Sequence, residues 1–507
     1  MAEPLIQHGA NGGSTGVAPS SPRLLGPAAL VSVAFLGTNA LAYVFTLLAA
    51  RALEPAAFGE LAALLGLLLV GTVPATGVQT AAALSLGGAA GRTEPLVGRL
   101  HAAALVIGLV VVALGALAAA PLTALLHLPD SSSVAWLVAV LLPSTLIAGY
   151  QGVLQGSGRY GRLAGVNAFF GVAKLVGGTA GLLLGGTPTT AMAGLTVATC
   201  LAALAGWAGC DRPALAPGLR VPLTAAMRAS GALLGFVLLL NLDLLLARHH
   251  LAATDAGEYA VGSIITKVAF WVPQGIGVVL LPRLADDGHR RRLLPTALAL
   301  VTAFGAALTA ATAASGSSAL PLIGGSAYGE SLGSATWLFA ALGTLFALAQ
   351  LLLYSGMAAA DRPAVGAVWV AAAAEGAVLE VLSATGRLSV VPLAGTAAGT
   401  ALVLVAVGLL RTRAGAVQTG RVINFGTAGR LLPRRGGQEQ GTTRPGVTEI
   451  DPGGSSRTDE RSAVHGVRHP LHDRHRGREE SRLPSRPLDR RAHPAGHHDH
   501  PAGRRDR

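Results

Sequence analysis

The sequence predicts an all-α polytopic membrane protein, with about twelve transmembrane helices in two six-helix lobes around a central cavity. Hydrophobic residues make up 51% of the chain and charged residues only 13%, and the mean hydropathy is +0.54. A soluble domain carries about 25% charged residues, because water must wet its surface. In addition, runs of roughly 20 mostly apolar residues, long enough to cross a bilayer, recur between turn signals.

Twelve such runs follow one another along the chain. They cover residues 28–50, 60–85, 100–126, 134–155, 163–186, 188–209, 229–247, 258–282, 293–314, 332–358, 364–382 and 389–410. The breaks between them carry Pro, Gly, Asp and Ser, as at 51–55, 128–131 and 361–363, and these residue types favour turns over helix interiors. The division between the fifth and sixth runs rests on residues 185–188 alone, so a count of eleven to thirteen helices is compatible with the sequence.

The distribution of arginine predicts that both termini face the cytoplasm. With that orientation the inner loops carry thirteen arginines: Arg23, Arg92, Arg99, Arg159, Arg162, Arg212, Arg220, Arg228, Arg283, Arg290, Arg291, Arg292 and Arg362. The outer loops carry only Arg51, Arg248 and Arg387. Because cytoplasmic loops are enriched in Lys and Arg, this orientation in the cytoplasmic membrane is the predicted one.

The chain shows signs of an internal repeat. Ala50-Arg51 is followed by Gly59-Glu60, and Ala247-Arg248 is followed by Gly257-Glu258, in both cases where the first span of a half meets the second. Six spans in each half give the halves the same topology, and transporters built in this way bind substrate between the halves. The predicted domains are a polar N-terminus (1–27), an N-terminal lobe (28–210), a cytoplasmic linker (211–228), a C-terminal lobe (229–410) and a disordered cytoplasmic tail (411–507).

The tail explains the basic character of the protein. From residue 411 onward the chain carries 20 Arg and 11 acidic residues, so most of the net charge of +12 belongs to the tail, and a nucleic-acid-binding role is not predicted. The tail lacks apolar periodicity, which predicts disorder. Its histidines, including those at 497, 498 and 500, follow from its composition, and no metal site is predicted there.

No arrangement of residues typical of an enzyme is present. The sequence contains no phosphate-binding loop with the Gly-Lys-Ser/Thr ending and no His-Glu-x-x-His pair. The two cysteines, Cys200 and Cys210, cannot build a disulfide framework or a zinc site. We therefore predict a protein without catalytic residues, cofactor or bound metal.

Ionisable residues inside predicted spans are the candidate functional residues, because a charge at the bilayer centre costs about 2.5–3.5 kcal/mol even on the more lenient scales. Lys174 in the fifth span and Lys267 in the eighth are the only lysines of the chain. They either line a cavity that receives an anionic head group or are neutralised by a carboxylate. The partners available for the second role are Glu375 and Asp243.

Four further residues complete the candidates. Asp243 and its neighbour Asn241 lie near the outer end of the seventh span, and Glu375 in the eleventh is a candidate for proton or cation coupling. Pro74 and Pro273 occupy matching positions in the second and eighth spans. A proline inside a helix removes a backbone hydrogen bond, so each is either a packing kink or a hinge.

Three stretches carry a resemblance to a known family. They are Arg51-Ala-Leu-Glu-Pro-Ala-Ala-Phe-Gly-Glu60, Leu154-Gln-Gly-Ser-Gly-Arg-Tyr-Gly-Arg162, and Asn241-Leu-Asp-Leu-Leu-Leu-Ala-Arg-His-His followed by Gly257-Glu-Tyr-Ala260 and Leu281-Pro-Arg283. Together with the twelve-span plan, residues 28–410 resemble the polysaccharide-biosynthesis flippases of the multidrug/oligosaccharidyl-lipid/polysaccharide exporter superfamily. The tail has no counterpart in that family.

The resemblance implies a flippase that moves lipid-linked saccharide precursors, of the undecaprenyl-pyrophosphate type, across the bacterial inner membrane by alternating access for cell-envelope assembly. Its partners would be the lipid-linked glycan, membrane lipids and glycan polymerases or glycosyltransferases. Lys174 and Lys267 would contact the pyrophosphate, while Asn241 and Asp243 would lie at the cavity or its gate. Two alternatives stay open, a cation-coupled small-molecule exporter with the same fold and a non-transporting membrane component of a glycan-synthesis complex.

Overall fold

The structure, a computed structural model, describes residues 25–88, 94–218, 220–272, 287–329, 332–358 and 362–428. The elements of this part are all helical, and we number the α-helices in chain order, leaving two short 3-10 turns unnumbered. They are α1 (Leu25–Ala52), α2 (Pro55–Gly71), α3 (Val73–Gly87), α4 (Glu94–Leu125), α5 (Ser132–Gly156), α6 (Tyr160–Gly185), α7 (Pro188–Gly209), α8 (Arg220–His250), α9 (Ala253–Trp271), α10 (Asp287–Ser315), α11 (Ala319–Gly324), α12 (Trp337–Ala358), α13 (Arg362–Ala384) and α14 (Val390–Ala428).

The predicted fold class is confirmed. Within the described residues, eleven helical segments are long and apolar enough to cross a membrane, and they coincide with eleven of the twelve predicted spans. The eighth span is the exception. Its described part, α9, carries Asp255, Glu258 and Lys267, and the apolar residues 273–282 that would complete the span lie outside the described residues.

Large apolar side chains on the outside of the bundle identify the lipid-facing surface. Leu117, Leu183 and Leu184 are each at least 79% exposed, although they lie in apolar spans. A soluble protein would place such residues in its core or in an interface. Their exposure along whole helices therefore fits a bundle whose solvent is lipid.

The structure confirms the boundary between the fifth and sixth spans, which was predicted from residues 185–188 alone. The evidence is the capping of the two helices that meet there. Gly186 ends α6 with a φ of 63°, a conformation that glycine adopts without strain. Thr187 then caps α7 through a reciprocal pair of hydrogen bonds with Thr190, and Pro188 occupies the first turn. The glycine, threonine and proline thus end one helix and start the next without a longer loop.

The second predicted span consists of two helices. The chain departs from regular helix at Thr72, between α2 and α3, although the two segments together form one candidate membrane span, Pro55–Gly87. Pro74 therefore lies in the first turn of α3, where a proline without an N–H is tolerated, and not inside an unbroken helix as predicted. Pro273, its predicted counterpart, lies outside the described residues.

Two predicted domain boundaries fall inside helices. The predicted linker 211–228 contains the start of α8, because Arg220 already belongs to that helix. At the other end, α14 continues to Ala428, beyond the boundary at 410. Both extensions carry arginine and other polar residues, and hydropathy alone does not mark where a polar helical turn ends.

Helices α2 and α9, the second span of each half, pack against each other through two glycines. A Cβ atom added to Gly59 would lie 3.0 Å from the backbone N of Gly257, and one added to Gly257 would lie 2.0 Å from the carbonyl O of Pro55. Small residues permit such close approach of helices in a membrane. The two positions are those that the internal repeat aligns, so the repeat places equivalent glycines at the contact between the halves.

We expect Gly257→Ala to destabilise this contact. The new methyl group overlaps the Pro55 carbonyl, and overpacking of this kind costs roughly 1–3 kcal/mol. Thermal unfolding in detergent, followed by fluorescence-detected size exclusion, measures the effect. Gly399→Ala in α14 is the matched control, because its Cβ would meet no atom within 4 Å. Equal melting temperatures of the two variants would contradict the close packing.

Candidate functional site

A cavity of about 300 Å³ lies between the two halves of the chain. One wall comes from helices of the N-terminal half, and the other comes from α9 of the C-terminal half. The wall residues of α9 are Ala260, Ser263, Ile264, Lys267 and Trp271. These positions recur every three or four residues, so they form one face of the helix. The cavity is therefore built by helix faces that packing brings together.

Both lysines of the chain line this cavity. Lys174 reaches it from α6, and its Nζ lies 5.0 Å from the centre of the Phe170 ring. Lys267 reaches it from α9. Neither ammonium group has a carboxylate oxygen within 4.0 Å among the residues that the structure describes. Two positive charges, one from each half, thus face a single space.

The remaining polar wall is uncharged. It consists of amide and hydroxyl side chains on α1, α3, α5, α7 and α9, together with Thr72 between α2 and α3: Asn39, Tyr43, Thr46, Thr76, Gln79, Ser144, Gln151, Thr199 and Ser263. Gln151 donates a hydrogen bond to Asn167, with 2.7 Å between Nε2 and Oδ1. Sequence reasoning missed these residues because, apart from Asn241, its cavity candidates were charged. Asparagine and glutamine inside apolar runs were the available signal.

Asp243 lies outside the cavity lining, in a buried cluster of three side chains. It accepts a hydrogen bond from the Tyr259 hydroxyl, with 2.7 Å between Oη and Oδ2. Glu375 of α13 is fully buried and near enough to interact electrostatically with both. The predicted candidates therefore separate into two groups, since the lysines line the cavity and the carboxylates form a cluster behind it.

Several buried oxygens in this region have no hydrogen-bond donor. Neither carboxyl oxygen of Glu375 has a partner among the described residues, and the same holds for the side-chain oxygen of Asn241. Asn241 is fully buried and donates its N–H to the Val237 carbonyl at 2.8 Å. Buried polar atoms are nearly always hydrogen-bonded, so unpartnered carboxyl oxygens suggest a bound proton or cation.

Helix α9 connects the carboxylate cluster with the cavity. Tyr259 and Lys267 lie two turns apart on this helix, and the charge of Lys267 interacts with that of Asp243. A change of charge at Asp243 or Glu375 therefore alters the electrostatic environment of Lys267. This arrangement allows an ion or proton at the cluster to influence an anion in the cavity.

Two arginines bind across the halves at the predicted outer end. Arg51 lies in the last turn of α1 and donates to the carbonyls of Ile323 and Leu322 at 3.0 and 2.8 Å. Arg248 lies in the last turn of α8 and donates to the carbonyls of Leu126 and His127 at 3.0 and 3.3 Å. The internal repeat aligns Arg51 with Arg248. The two pairs of acceptor carbonyls lie nearly as far apart along the chain as the two arginines do, so the contacts are equivalent under the repeat.

This pair of contacts, which we call the outer clasp (Arg51 with 322–323 and Arg248 with 126–127), satisfies carbonyls at helix ends. The last carbonyls of a helix lack intrahelical donors and carry partial negative charge, so a cation is favourable there. Arg248 is buried and attracted by the nearby buried carboxylate of Glu60. The first and third family-like stretches thus contain arginines that join the two halves at the predicted outer end.

Loss of the outer clasp should open the outer end. In Arg51→Ala/Arg248→Ala we expect a second, longer distance population between spin labels at positions 187 and 385, measured by double electron–electron resonance after Cys200 and Cys210 are replaced by serine. Arg248→Ala alone should have the larger single effect, because Arg248 is the buried member of the pair. Arg387→Ala, at the same end of the molecule, is the control. An unchanged distance distribution in the double variant would contradict a closing role.

The arginines of the second family-like stretch bind at the predicted inner end. Arg159 and Arg162 both form ion pairs with Asp211, the latter with 2.7 Å between Nη1 and Oδ1. Their hydrogen bonds hold the pKa of Asp211 below its usual range. Because both arginines pair with the carboxylate of Asp211, which follows α7, we assign their described contacts a structural role.

Comparison with known proteins shows the fold. No protein-family model matches the chain, and no curated protein sequence matches it significantly. Among solved structures, the chain resembles the lipid II flippase MurJ in an inward closed conformation (TM-score 0.60, 11% identity, covering 76% of this chain and 87% of that one). It also resembles an inward-facing multidrug resistance MATE family transporter of the MOP superfamily (TM-score 0.57, 11% identity, covering 73% of this chain and 94% of that one). A third similar structure is a MOP superfamily transporter from Pyrococcus furiosus (TM-score 0.53, 12% identity, covering 77% of this chain and 96% of that one). The fold is therefore the one seen in transporters of this superfamily.

Proposed function

We propose that this protein translocates a lipid-linked saccharide with an anionic head group, of the undecaprenyl-pyrophosphate type, across the cytoplasmic membrane. The observation that carries the proposal is the meeting of Lys174 and Lys267, the two lysines of the chain, in one cavity between the halves. A charged ammonium group at bilayer depth is costly, so we expect it to interact with a partner. Since neither lysine has a carboxylate within 4.0 Å in the described part, an anionic substrate is the partner that fits best.

The wall chemistry is compatible with such a substrate. Hydroxyl and amide groups can bind a sugar, and the aromatic side chains of Phe170 and Trp271 also line the cavity, with the Phe170 ring beside Lys174. A lipid tail would stay in the bilayer while the head group crosses through the protein. The fold supports this scheme, since it is shared with a structure named as a lipid II flippase.

Coupling is proposed to reside in the cluster of Asp243, Tyr259 and Glu375. Its buried, unpartnered carboxyl oxygens would take up a proton or a sodium ion from one side of the membrane. Uptake would neutralise negative charge near Lys267 and so strengthen the attraction of that lysine for an anion. A cation bound at the cluster and an anion bound in the cavity would therefore favour each other's binding.

Alternating access would follow from motion of the two halves as six-helix lobes, with both termini in the cytoplasm. The outer clasp would hold one end of the path closed, since its hydrogen bonds join the two halves there. Opening it while the inner end closes would expose the cavity to the other side. The break between α2 and α3 beside Pro74 is the proposed hinge of the first lobe, and Pro273 is its proposed counterpart.

A second candidate function is the cation-coupled export of small molecules. A cavity of about 300 Å³ lies at the lower end of the range for drug-sized ligands. The fold is also that of a multidrug resistance transporter, and a carboxylate cluster suits coupling in either case. On this alternative the lysines would be dispensable for neutral or cationic substrates, whereas Asp243 and Glu375 would remain necessary.

Deletion of the gene tests the proposal. We expect surface glycan to decrease and its lipid-linked precursor to accumulate on the cytoplasmic side, as measured by labelling of the precursor in intact and inverted vesicles. Re-expression should restore both. An unchanged precursor distribution combined with drug sensitivity would favour the exporter. Loss of glycan that the Lys174→Ala/Lys267→Ala variant restores would favour a non-transporting component of the synthesis complex.

A further inference from the structure

Three histidines and a glutamate meet at the same end of the molecule as the outer clasp. His249 and His250 end α8, Glu380 lies near the end of α13, and His127 follows α4. The rings of His249 and His250 are 4.4 Å apart between centroids, and the His127 ring stacks on that of His249 at 5.5 Å. None of these four side chains has a role in the proposed transport path.

Hydrogen bonds fix the rings in orientations that suit a metal ion. The carbonyl of Leu125 lies 2.7 Å from Nδ1 of His249, so this nitrogen must donate its proton to it. The Ser383 hydroxyl lies 3.2 Å from Nδ1 of His250. A neutral histidine that donates from Nδ1 presents a lone pair at Nε2, and a carbonyl or hydroxyl on the other ring nitrogen is the usual support of a metal-bound histidine.

The carboxylate completes a set of three donor atoms. Nε2 of His250 lies 3.2 Å from Oε1 of Glu380, and the donor atoms of His249, His250 and Glu380 all lie within 4.8 Å of one another. A tetrahedral zinc ion with bonds of about 2.0–2.1 Å places its ligands about 3.4 Å apart. Rotation of the exposed Glu380 side chain supplies the remaining movement.

We propose that His249, His250 and Glu380 bind a divalent transition-metal ion, of which zinc is the best match. Two imidazoles and one carboxylate are a donor set that zinc takes in proteins, leaving a fourth position for water. Calcium and magnesium prefer sets made of oxygen alone. Neither sequence spacing nor composition predicted the site, because two adjacent histidines acquire their third ligand only from α13.

The site lies directly beside the outer clasp. His249 binds the Leu125 carbonyl of α4, and the preceding residue, Arg248, binds the next two carbonyls. A metal on Nε2 of His249 would make its Nδ1–H a stronger donor to the Leu125 carbonyl, which belongs to the opposite half. A bound ion would therefore strengthen a contact between the halves at the predicted outer end, so external zinc should slow the transport cycle. This consequence rests on the proposed function, whereas metal binding itself does not.

Zinc and cobalt titrations of the full-length protein in detergent test the site. The tail carries eight further histidines, so the background is the full chain with His465, His469, His472, His475, His493, His497, His498 and His500 replaced by alanine. We expect one zinc ion per chain, with at least a tenfold loss of affinity in His250→Ala and a smaller loss in Glu380→Gln. Cobalt should show the intense visible bands of tetrahedral coordination. His101→Gln, a histidine at the opposite end, is the matched control and should bind as the background does.

The outcomes separate the possibilities. Equal zinc affinity of the background, His250→Ala and Glu380→Gln proteins would overturn the site, as would zinc binding that disappears with the tail substitutions alone. Glu380→Gln keeps the test valid if a histidine variant fails to fold, because Glu380 is exposed. Zinc that binds but leaves the transport rate unchanged would retain the site and overturn only its role in closure. A protein that transports nothing under any condition would count against the proposed function, while the binding result would stand.

Discussion

Replacement of both Lys174 and Lys267 by alanine should lower translocation of the lipid-linked substrate by about 100-fold in a folded protein. Each hydrogen bond from a charged group contributes roughly 1.5–3 kcal/mol, and about 1.4 kcal/mol corresponds to a factor of ten. The measurement is appearance of labelled precursor in the outer leaflet of proteoliposomes. Each single variant should lose about tenfold, since the lysines approach the same cavity from separate helices.

Two controls make this result specific for charge. Lys174→Arg/Lys267→Arg keeps both positive charges and should retain most activity. Ser263→Ala removes a hydroxyl from the same cavity wall and should have a smaller effect than the loss of either lysine. Translocation at the unmodified rate by a well-folded double alanine variant would contradict the assignment of the lysines to substrate.

Substitution of the buried carboxylates should remove the dependence of transport on an ion gradient. In Glu375→Gln and Asp243→Asn the cluster keeps its shape but can no longer exchange a proton or bind a cation through its charge. We expect gradient-driven uptake to fall at least tenfold in each. Counterflow, which needs no net coupling, should decrease less. Transport should be compared with an inward proton gradient, an inward sodium gradient and none.

A matched control lies little more than one turn away. Glu380 is on the same helix as Glu375 but exposed, so Glu380→Gln should leave coupling unchanged when zinc is absent. Should Glu375→Gln retain full gradient dependence, the coupling site would have to be sought elsewhere. The combined results also separate the two transport functions, since an exporter of cations would depend on the carboxylates and not on the lysines.

The helical spans can be predicted from the sequence because each depends only on the length of one continuous apolar run. A run of apolar residues is compared with the thickness of the bilayer, and this comparison identified the described spans, including the junction at residues 185–188. The break at Thr72 is an exception. The apolar run passes through Pro74, and the run by itself does not show whether the proline lies within a helix or starts a new one.

The sequence by itself determined that this chain is a membrane bundle and that its few intramembrane charges are the residues to examine. Only the tertiary structure decided how those residues are grouped. It placed Lys174 and Lys267 in one cavity and enclosed Asp243 and Glu375 in a separate cluster. It also brought Arg51 and Arg248 onto carbonyls of the opposite half. The physical reason is that successive side chains along a helix are rotated by about 100° around its axis. Which helix faces meet therefore depends on how helices distant in sequence pack together.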